Sequence, residues 1–380
     1  MNTLQLSTLL LRNALRFQYL RLTGKPAKPQ AVSLEITHDC VARCIMCNIW
    51  KIPSDVPNLA MPQWLELLSS ELFADLRELD ITGGEPFLRG DIVDLFYGIC
   101  DLKPKNFSGL KSIAVTTNGL LPDRVVPAVE KILPVLQKQN IDLVVVCALD
   151  AVSDLHDRIR NFPKAWSKVS QTIDALCRVR EKFSNLIVGL KTTILPLNID
   201  ELGGIAAYAE ERGLFTIISP CIITEGRYLN PDRAEDLLFS KQDIQKMIDF
   251  FTSDKFQWSF HAESLVDFLK TGTMKKPCSC GFNYFFVRSN GEILLCPLIK
   301  ESAGNITTRN VSDLFLSDSA NKIRKTIGSL SQCRECTEPG LERYSLPFQG
   351  LHYLKMLWNM GGVEFKQLHR HMGLDKYLNS

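Results

Sequence analysis

The sequence predicts an α/β protein, because six β-rich runs alternate with helical segments from residue 31 onwards. The strand candidates are Ala31–Thr37, Leu76–Thr82, Lys111–Thr117, Asp142–Leu149, Leu186–Thr193 and Leu214–Ser219. Helices are expected near 61–75, 90–102, 122–139, 166–183 and 199–212. This alternation is typical of βαβ units and a parallel sheet. The fourth run is almost continuously apolar, as expected for a strand that is buried on both faces.

Length and composition indicate a globular protein with reduced cysteines. The 380 residues are enough for one barrel-sized domain and a small second one. A net charge of +2 gives no argument for nucleic acid as a partner. No apolar run approaches the roughly 18 residues that span a membrane, and the N-terminus lacks a signal-peptide pattern. The twelve cysteines are therefore expected to be thiols and metal ligands of a cytoplasmic protein.

Three cysteines, Cys40, Cys44 and Cys47, follow the first predicted strand with the spacing C-x3-C-x2-C. Three thiolates can hold three corners of a cubane [4Fe–4S] cluster, because soft sulfur ligands suit iron. The fourth iron is then open for substrate or cofactor chemistry. A structural zinc site usually has four protein ligands. The spacing therefore favours a catalytic cluster over a structural metal site.

Polar motifs also follow the other predicted strands. Gly83-Gly84-Glu85-Pro86 follows the second strand, Asn118 closes the third, and Asp150 follows the fourth. The carboxyl ends of parallel strands lie on one side of the sheet, where barrel enzymes carry their active sites. We therefore expect these motifs to surround the cysteine triad.

These motifs resemble the radical S-adenosylmethionine (SAM) family, in whose cysteine signature Met46 fills the apolar position. The resemblance implies a partial (β/α)6 TIM-type barrel over residues 31–225. It implies a [4Fe–4S] cluster on the cysteine triad whose open iron binds SAM. An electron from an external flavodoxin or ferredoxin would cleave SAM, and the 5′-deoxyadenosyl radical would abstract hydrogen from an unactivated C–H bond.

The resemblance also implies contacts with SAM. In the family the glycine motif holds the methionyl amine, and this role falls on Gly83-Gly84-Glu85-Pro86 here. Asn118 and Asp150 are candidate ribose contacts, and Arg160 is a candidate for the SAM carboxylate. Cys221, just past the sixth strand, is a candidate hydrogen donor to a substrate radical. The alternatives are a turn asparagine, a solvated arginine and a buried cysteine.

A second set of cysteines lies in residues 278–340. Two cysteines precede a β-rich stretch, and the hairpin signal Asn290-Gly291 is expected to bring a third cysteine back beside them. A C-x2-C pair follows. This region resembles the SPASM and Twitch domains, which implies an auxiliary [4Fe–4S] cluster for electron transfer; a structural zinc site is the alternative. The candidate ligands are Cys278 or Cys280, Cys296, Cys333 and Cys336.

The other segments are expected to be helical: residues 1–30, a linker over 226–277 and a tail over 341–380. The first of these contains basic residues and no acidic one. A basic apolar helix can lie on the inner face of an anionic membrane. However, its leucines surround most of the helix, which favours a helix packed on the barrel. Both alternatives stay open at this point.

The sequence leaves the substrate open between three readings. The favoured one is a small or lipid-like metabolite that is oxidised, cyclised or coupled. The second is maturation of a ribosomally made peptide, as in many SPASM relatives. Those maturases often carry a leader-binding domain, and residues 1–30 are too short for one. The third is a non-catalytic iron–sulfur electron carrier, against which the Gly-Gly-Glu-Pro motif argues.

Overall fold

The computed structural model describes residues 3–256, 259–363 and 365. The strands are β1 (Ala31–Glu35), β2 (Glu78–Thr82), β3 (Ser112–Thr117), β4 (Asp142–Ala148), β5 (Leu186–Ile194), β6 (Phe215–Pro220), β7 (Tyr284–Val287), β8 (Glu292–Leu294) and β9 (Ser302–Asn305). The first six correspond to the predicted strands, and their ends differ from the predicted ones by at most two residues.

The helices fill the connections and both ends of the described chain. They are α1 (Thr3–Thr23), α2 (Met61–Leu68), α3 (Ile92–Asn106), α4 (Pro122–Lys138), α5 (Leu155–Arg160), α6 (Ala165–Lys182), α7 (Leu202–Glu211), α8 (Lys241–Phe251), α9 (Phe260–Thr271), α10 (Val311–Phe315), α11 (Asp318–Thr326), α12 (Gly340–Gln349) and α13 (Leu351–Met360).

Strands β1 to β6 form a parallel sheet in chain order, with helices in the crossovers between them. The helices present one apolar face to the strands. In α4, for example, Val125, Val129, Ile132 and Leu136 recur every three or four residues and are buried. Residues that follow β1 and β6 line the same cavity, so the sheet curves around it. The predicted partial barrel is confirmed.

The cysteine-rich extension continues the sheet of the barrel. Strand β7 pairs in parallel with β1, and β8 and β9 follow in antiparallel order. The predicted hairpin between β7 and β8 is present, and Gly291 adopts a φ of +89° at its turn, which favours glycine. The extension therefore covers the edge of β1, whose unpaired backbone groups would otherwise be exposed.

Helix α12 packs against strands of both the extension and the barrel. Tyr344 on α12 stacks on Tyr284 of β7 with ring centroids 4.9 Å apart, and Arg343 forms a 2.7 Å ion pair with Glu78 of β2. Helix α13 continues from α12, and both pack against α1. The predicted tail is thus helical as far as it is described, while residues 366–380 lie outside the described residues.

The segment over 226–277, predicted as a linker, contributes a core of its own. Helices α8 and α9 bury Met247, Phe251 and Leu265 against Ile194 of β5 and Ile218 of β6. The segment is thereby fixed to the last two barrel strands. Among the described residues, no helix combines the length and the apolar character needed to cross a membrane.

Candidate functional site

The loop from Cys40 to Cys47 follows the carboxyl end of β1 and is held by hydrogen bonds on two sides. On one side, the backbone N–H groups of Arg43 and Ile45 donate to carbonyls at the end of α5, both at 3.0 Å. On the other side, the Asn230 side chain, in the segment after β6, donates to the carbonyl of Met46 at 2.9 Å. These contacts fix the spacing of the cysteine side chains through the backbone of the loop.

The three cysteines line an open cavity of about 1120 Å³ at the carboxyl ends of the strands. Residues from all six strands of the barrel line this cavity, although not every predicted motif reaches it. Of the predicted site residues, those that line the cavity are Cys40, Cys44, Met46, Cys47, Gly83, Gly84, Asn118, Arg160 and Cys221.

Nitrogen donors reach two of the three cysteine sulfurs. The Arg160 guanidinium lies 3.6 Å from Cys44 Sγ, and the Asn118 amide lies 3.7 Å from Cys40 Sγ. Hydrogen bonds of this type stabilise thiolates and tune the metal sites that thiolates bind. Three half-buried cysteines on one wall, two of them with such donors, fit an iron–sulfur cluster that is held by three ligands.

The cysteine thiols themselves resist ionisation in the protein alone. Burial raises the pKa of Cys40 and that of Cys47 to about 12. Iron binds the thiolate form, so a cluster that assembles here displaces the thiol protons. The positive charge of bound iron would offset the cost of burying three thiolates side by side.

Arg160 is held by Asp150 at the back of the cavity. Arg160 Nη2 lies 2.6 Å from Asp150 Oδ2, and both side chains are almost fully buried. The other carboxylate oxygen of Asp150 accepts from the N–H of Thr193. Asp150 does not line the cavity, so its predicted contact with ribose stays a prediction. The structure instead gives its carboxylate two protein partners.

The Gly83-Gly84 turn lies directly against the start of the cysteine loop. A Cβ atom on Gly83 would lie 2.4 Å from the Thr37 carbonyl oxygen, and one on Gly84 would lie 2.2 Å from that of Asp39. The N–H groups of Gly84 and Glu85 donate to the same two carbonyls. These N–H groups are therefore already used, and the carbonyl oxygens of the turn remain for a ligand. A carbonyl oxygen can accept a hydrogen bond from an ammonium group.

Glu85 and Pro86 lie behind this turn and do not line the cavity. The Glu85 carboxylate is fully buried and accepts hydrogen bonds from Thr117 Oγ1 and from the N–H groups of Phe87 and Asn118. Burial raises the pKa of Glu85 to about 7. Their predicted part in binding SAM stays a prediction. In the structure, the Glu85 carboxylate links the end of β2 to the end of β3 through hydrogen bonds.

Four charged residues that the sequence did not assign to the site line the cavity, and Glu35 at the end of β1 is one of them. Arg227 follows β6 and donates to Thr82 Oγ1, Lys191 lies near the end of β5, and Glu338 follows the last cysteine pair. Although burial opposes ionisation, Lys191, Arg227 and Lys276 together hold the pKa of Glu338 at about 2. Lys191 and Arg227 had a local signal, since Lys191 lies near the end of β5 and the Glu-Gly-Arg turn follows β6.

Four cysteines of the extension line a second cavity of about 670 Å³. They are Cys278, Cys296, Cys333 and Cys336. The fifth, Cys280, is buried outside this cavity and donates a hydrogen bond to Cys278, which lowers the pKa of Cys278. Of the two alternatives that the sequence left open, Cys278 is thus the one that faces the cavity.

The second cavity fits a cluster better than a zinc ion. Sulfurs that bind one zinc ion at about 2.3 Å lie within about 4.6 Å of one another. Within the described ranges, no three or more histidine, cysteine, aspartate or glutamate side chains converge closely enough to hold a single metal ion. Ligands of a multi-iron cluster are spread farther apart, which suits four cysteines around a cavity.

A short segment joins the two cavities. Cys336 lines the second cavity, and Glu338 and Pro339 line the first. Between them, Thr337 exchanges hydrogen bonds with Ser219 and Pro220 at the end of β6. Consecutive Cα atoms are about 3.8 Å apart, so the Cα atoms of Cys336 and Glu338 are at most about 7.6 Å apart. The second cavity therefore lies close to the first.

Two family models match the chain at these two sites. Residues 34–209 match the radical SAM superfamily, and residues 278–337 match an iron–sulfur cluster-binding domain. The first range includes the cysteine loop, and the second includes all four cysteines of the second cavity. The predicted cofactors, SAM and [4Fe–4S] clusters, are thereby confirmed.

Similar proteins extend these matches over most of the chain. The antilisterial bacteriocin subtilosin biosynthesis protein AlbA of Bacillus subtilis is 20% identical over 298 residues, which are 78% of this chain and 61% of AlbA. The AdoMet-dependent heme synthase of Methanosarcina barkeri is 22% identical over 321 residues, which are 78% of this chain and 84% of the synthase. The chain thus spans less than two thirds of AlbA.

Among solved structures, Streptococcus suis SuiB bound to S-adenosylmethionine is similar to this chain. The TM-score is 0.58 at 16% identity, and the match covers 90% of this chain and 77% of SuiB. Such low identity shows a shared fold alone. The predicted fold class is confirmed by this likeness together with the sheet topology.

Proposed function

We propose that this chain, which belongs to the radical SAM superfamily and carries a SPASM-type iron–sulfur domain, oxidises or cross-links a peptide. The observation that carries the proposal is the pair of neighbouring cavities, one lined by the cysteine triad and one by the four cysteines of the extension. The peptide substrate is supported by the similarity to AlbA, a bacteriocin biosynthesis protein, and by the fold shared with SuiB, which has been solved with a precursor peptide.

In this proposal Cys40, Cys44 and Cys47 hold the catalytic cluster. When bound, the cluster and SAM supply a 5′-deoxyadenosyl radical that can remove a hydrogen atom from a C–H bond. The Gly83-Gly84 turn offers backbone carbonyls to the methionyl amine of SAM. Arg160 and Asn118 donate to the cysteine sulfurs and so favour the thiolate form.

The substrate would enter the open side of the first cavity. This cavity is open, and in the proposal it holds SAM together with the reacting part of the substrate. Lys191, Arg227 and Glu338 place charges of both signs on its wall. Such a wall can bind the carboxylates, amines and amides of a peptide segment. Cys221 stays a candidate hydrogen donor at the same wall.

The second cavity would hold the auxiliary cluster on Cys278, Cys296, Cys333 and Cys336. Four cysteine ligands leave no open iron, which suits electron transfer rather than substrate binding. An oxidised product requires that the substrate radical gives up an electron. The short segment from Cys336 to Glu338 places the auxiliary site beside the substrate wall. An external ferredoxin or flavodoxin would supply the electron that starts each turnover.

A small metabolite is the second candidate substrate. The heme synthase of M. barkeri matches 84% of its own length to this chain, more than AlbA does. Its name points to a small-molecule product. An apolar portion of the cavity wall, formed by side chains such as Met46, Ile49 and Ile222, would suit such a substrate.

The experiment that separates these candidates measures 5′-deoxyadenosine. The anaerobically reconstituted enzyme receives SAM, dithionite and the low-molecular-weight fraction of host extract, either intact or digested with protease. We expect the intact fraction to raise 5′-deoxyadenosine formation at least tenfold and protease to remove this stimulation. Stimulation that survives protease would contradict the peptide proposal and favour a metabolite. The Cys40→Ala/Cys44→Ala/Cys47→Ala variant controls for cleavage by contaminants.

A further inference from the structure

The outward face of α1 carries a row of exposed apolar side chains, which we call the leucine stripe: Leu4, Leu11, Leu15 and Leu22. Their side chains are 77%, 51%, 66% and 82% exposed, respectively. At 3.6 residues per turn, these positions fall within a sector of about 40° around the helix axis. Tyr19, 59% exposed, borders the stripe. Exposed apolar surfaces of this kind mark sites of interaction with another body.

The opposite face of α1 is used to attach the helix to the protein. Leu10, Ala14, Phe17 and Leu20 are buried there. Phe17 makes edge-on contacts with Phe282 and Phe348 at centroid distances of 5.4 and 5.7 Å. The helix is thus firmly fixed, with the leucine stripe turned away from the packed face. The sequence left open whether this helix packs on the protein or lies on a membrane. Packing explains the buried face of α1 but not the exposed leucine stripe.

Positive charge borders the leucine stripe. Arg12 and Arg16 are exposed and lie about 80° and 120° around the axis from Leu4, on the side of the stripe that Tyr19 borders. Residues 1–34 contain no acidic side chain that could offset this charge. The surface is therefore apolar with two basic residues along one side, which is complementary to anionic headgroups above an acyl layer.

We propose that α1 is an interfacial helix, which places the leucine stripe in the acyl boundary of an anionic lipid bilayer and Arg12 and Arg16 at its phosphate groups. A second copy of the chain would fit this surface poorly. Two stripes in contact would bring the arginines of both copies together, with no acidic residue on either helix to pair with them. Trp358, 70% exposed on the neighbouring α13, is of the residue type that anchors proteins at membrane interfaces.

This inference does not depend on the proposed reaction, since the stripe lies on α1 and the cysteine cavities are lined by other residues. Its consequence is that the enzyme works at a membrane surface. A substrate or product that partitions into lipid would be concentrated there, and the same holds for a peptide with an apolar segment.

The test is flotation of the full-length protein with lipid vesicles. Vesicles of phosphatidylcholine with 40% phosphatidylglycerol are compared with vesicles of phosphatidylcholine alone. We expect the wild type to float with the anionic vesicles and the Leu11→Glu/Leu15→Glu variant to bind them at least tenfold more weakly. Arg12→Glu/Arg16→Glu should also lose most binding. The matched control is Leu238→Glu, at a leucine that is 71% exposed elsewhere and should leave binding unchanged.

Two further readouts keep the result interpretable. Far-UV circular dichroism and 5′-deoxyadenosine formation without vesicles should be unchanged in all three variants, which shows that they are folded. Light scattering after gel filtration measures the mass in solution. The inference is overturned if the wild type fails to float with anionic vesicles, or if it is a dimer that the Leu11→Glu/Leu15→Glu variant converts to monomers without any effect on vesicles.

Discussion

Arg160 stands beside Cys44 because Asp150 holds it there. The ion pair is 2.6 Å long, almost completely buried and joined to the barrel through the N–H of Thr193. Charges that are taken out of water are stable only with their partners in place. The pair therefore positions the donor for a cysteine sulfur, and it makes this corner of the site sensitive to the loss of either charge.

We expect Asp150→Asn to lower the free energy of unfolding of the cluster-free protein by about 3–5 kcal/mol, because it leaves the Arg160 charge buried without a counter-ion. Denaturant unfolding measures this loss. Asp200→Asn is the matched control, since Asp200 pairs with Lys246 but its side chain is 83% exposed. Exposed pairs contribute less than about 1 kcal/mol. Equal losses in both variants would show that burial of the Asp150 pair is unimportant.

Glu85 gives the stability of the cluster-free protein a dependence on pH. Burial raises its pKa from 4.5 to about 7, so the folded protein retains a proton that the unfolded chain has released in this range. The contribution of Glu85 to stability is therefore highest below pH 4.5 and falls as the pH rises to about 7. We expect Glu85→Gln to become more stable relative to the wild type over this interval. A constant difference between the two unfolding free energies would contradict this assignment.

Single residues also show where sequence reasoning ends. The cysteine triad and the glycine turn carry short motifs, so they could be placed from spacing alone. Glu338 could not, because it enters the first cavity only through the path of the chain after Cys336. Asp150 follows its strand as expected, yet whether its carboxylate meets a ligand or Arg160 depends on the rotation of one side chain.

Among the structural elements, the turn after β2 leaves little room for a larger residue. Gly84 faces the Asp39 carbonyl so closely that a Cβ atom would lie 2.2 Å from it. The backbone of the turn cannot shift away from this contact unless the cysteine loop moves as well. The turn and the loop thus form one packed unit, in which the conformation of each depends on the other.

We expect Gly84→Ala to destabilise the protein by about 1–3 kcal/mol and to weaken SAM binding at least tenfold, because the clash displaces the turn and the cysteine loop together. Gly90→Ala is the control, since no atom lies within 4 Å of the position that its Cβ would occupy. Unfolding and calorimetric titration with SAM measure both effects. The idea of a packed unit fails if Gly84→Ala binds SAM as tightly as Gly90→Ala does.

The six barrel strands and most of their helices were predictable, because their periodicities are local and strong. The pairing of β7 with β1 was not, since Val32 and Phe285 are neighbours in the sheet but far apart in sequence. No local pattern states which edge a hairpin joins. The same limit explains why residues 226–277 were expected to be a linker: the apolar faces of α8 and α9 reveal burial but not its partner.

At the scale of the whole molecule, the barrel and the extension form one continuous sheet with a cysteine-lined cavity in each part. Hydrogen bonds of Thr337 attach the segment between the two cavities to the end of β6. This arrangement predicts two clusters that assemble independently, because each cavity has its own ligands. It also predicts that the auxiliary site influences the fate of the substrate rather than the cleavage of SAM.

We expect the reconstituted wild type to contain about eight iron atoms per chain, since each [4Fe–4S] cluster contributes four. The Cys40→Ala/Cys44→Ala/Cys47→Ala variant and the Cys333→Ala/Cys336→Ala variant should each retain about four. Iron and sulfide analysis with electron paramagnetic resonance measures both clusters. Loss of all iron in either variant would show that the two sites do not assemble independently, whereas one zinc ion in place of four irons would identify the second cavity as a zinc site.

If the cysteine triad after β1 is the site of SAM cleavage, formation of 5′-deoxyadenosine under dithionite depends on these three cysteines. The wild type and the Cys333→Ala/Cys336→Ala variant should both release 5′-deoxyadenosine from SAM. The Cys40→Ala/Cys44→Ala/Cys47→Ala variant should release none above the level without enzyme. Release at the wild-type rate by this triple variant would contradict the account, because the radical would then arise elsewhere in the protein.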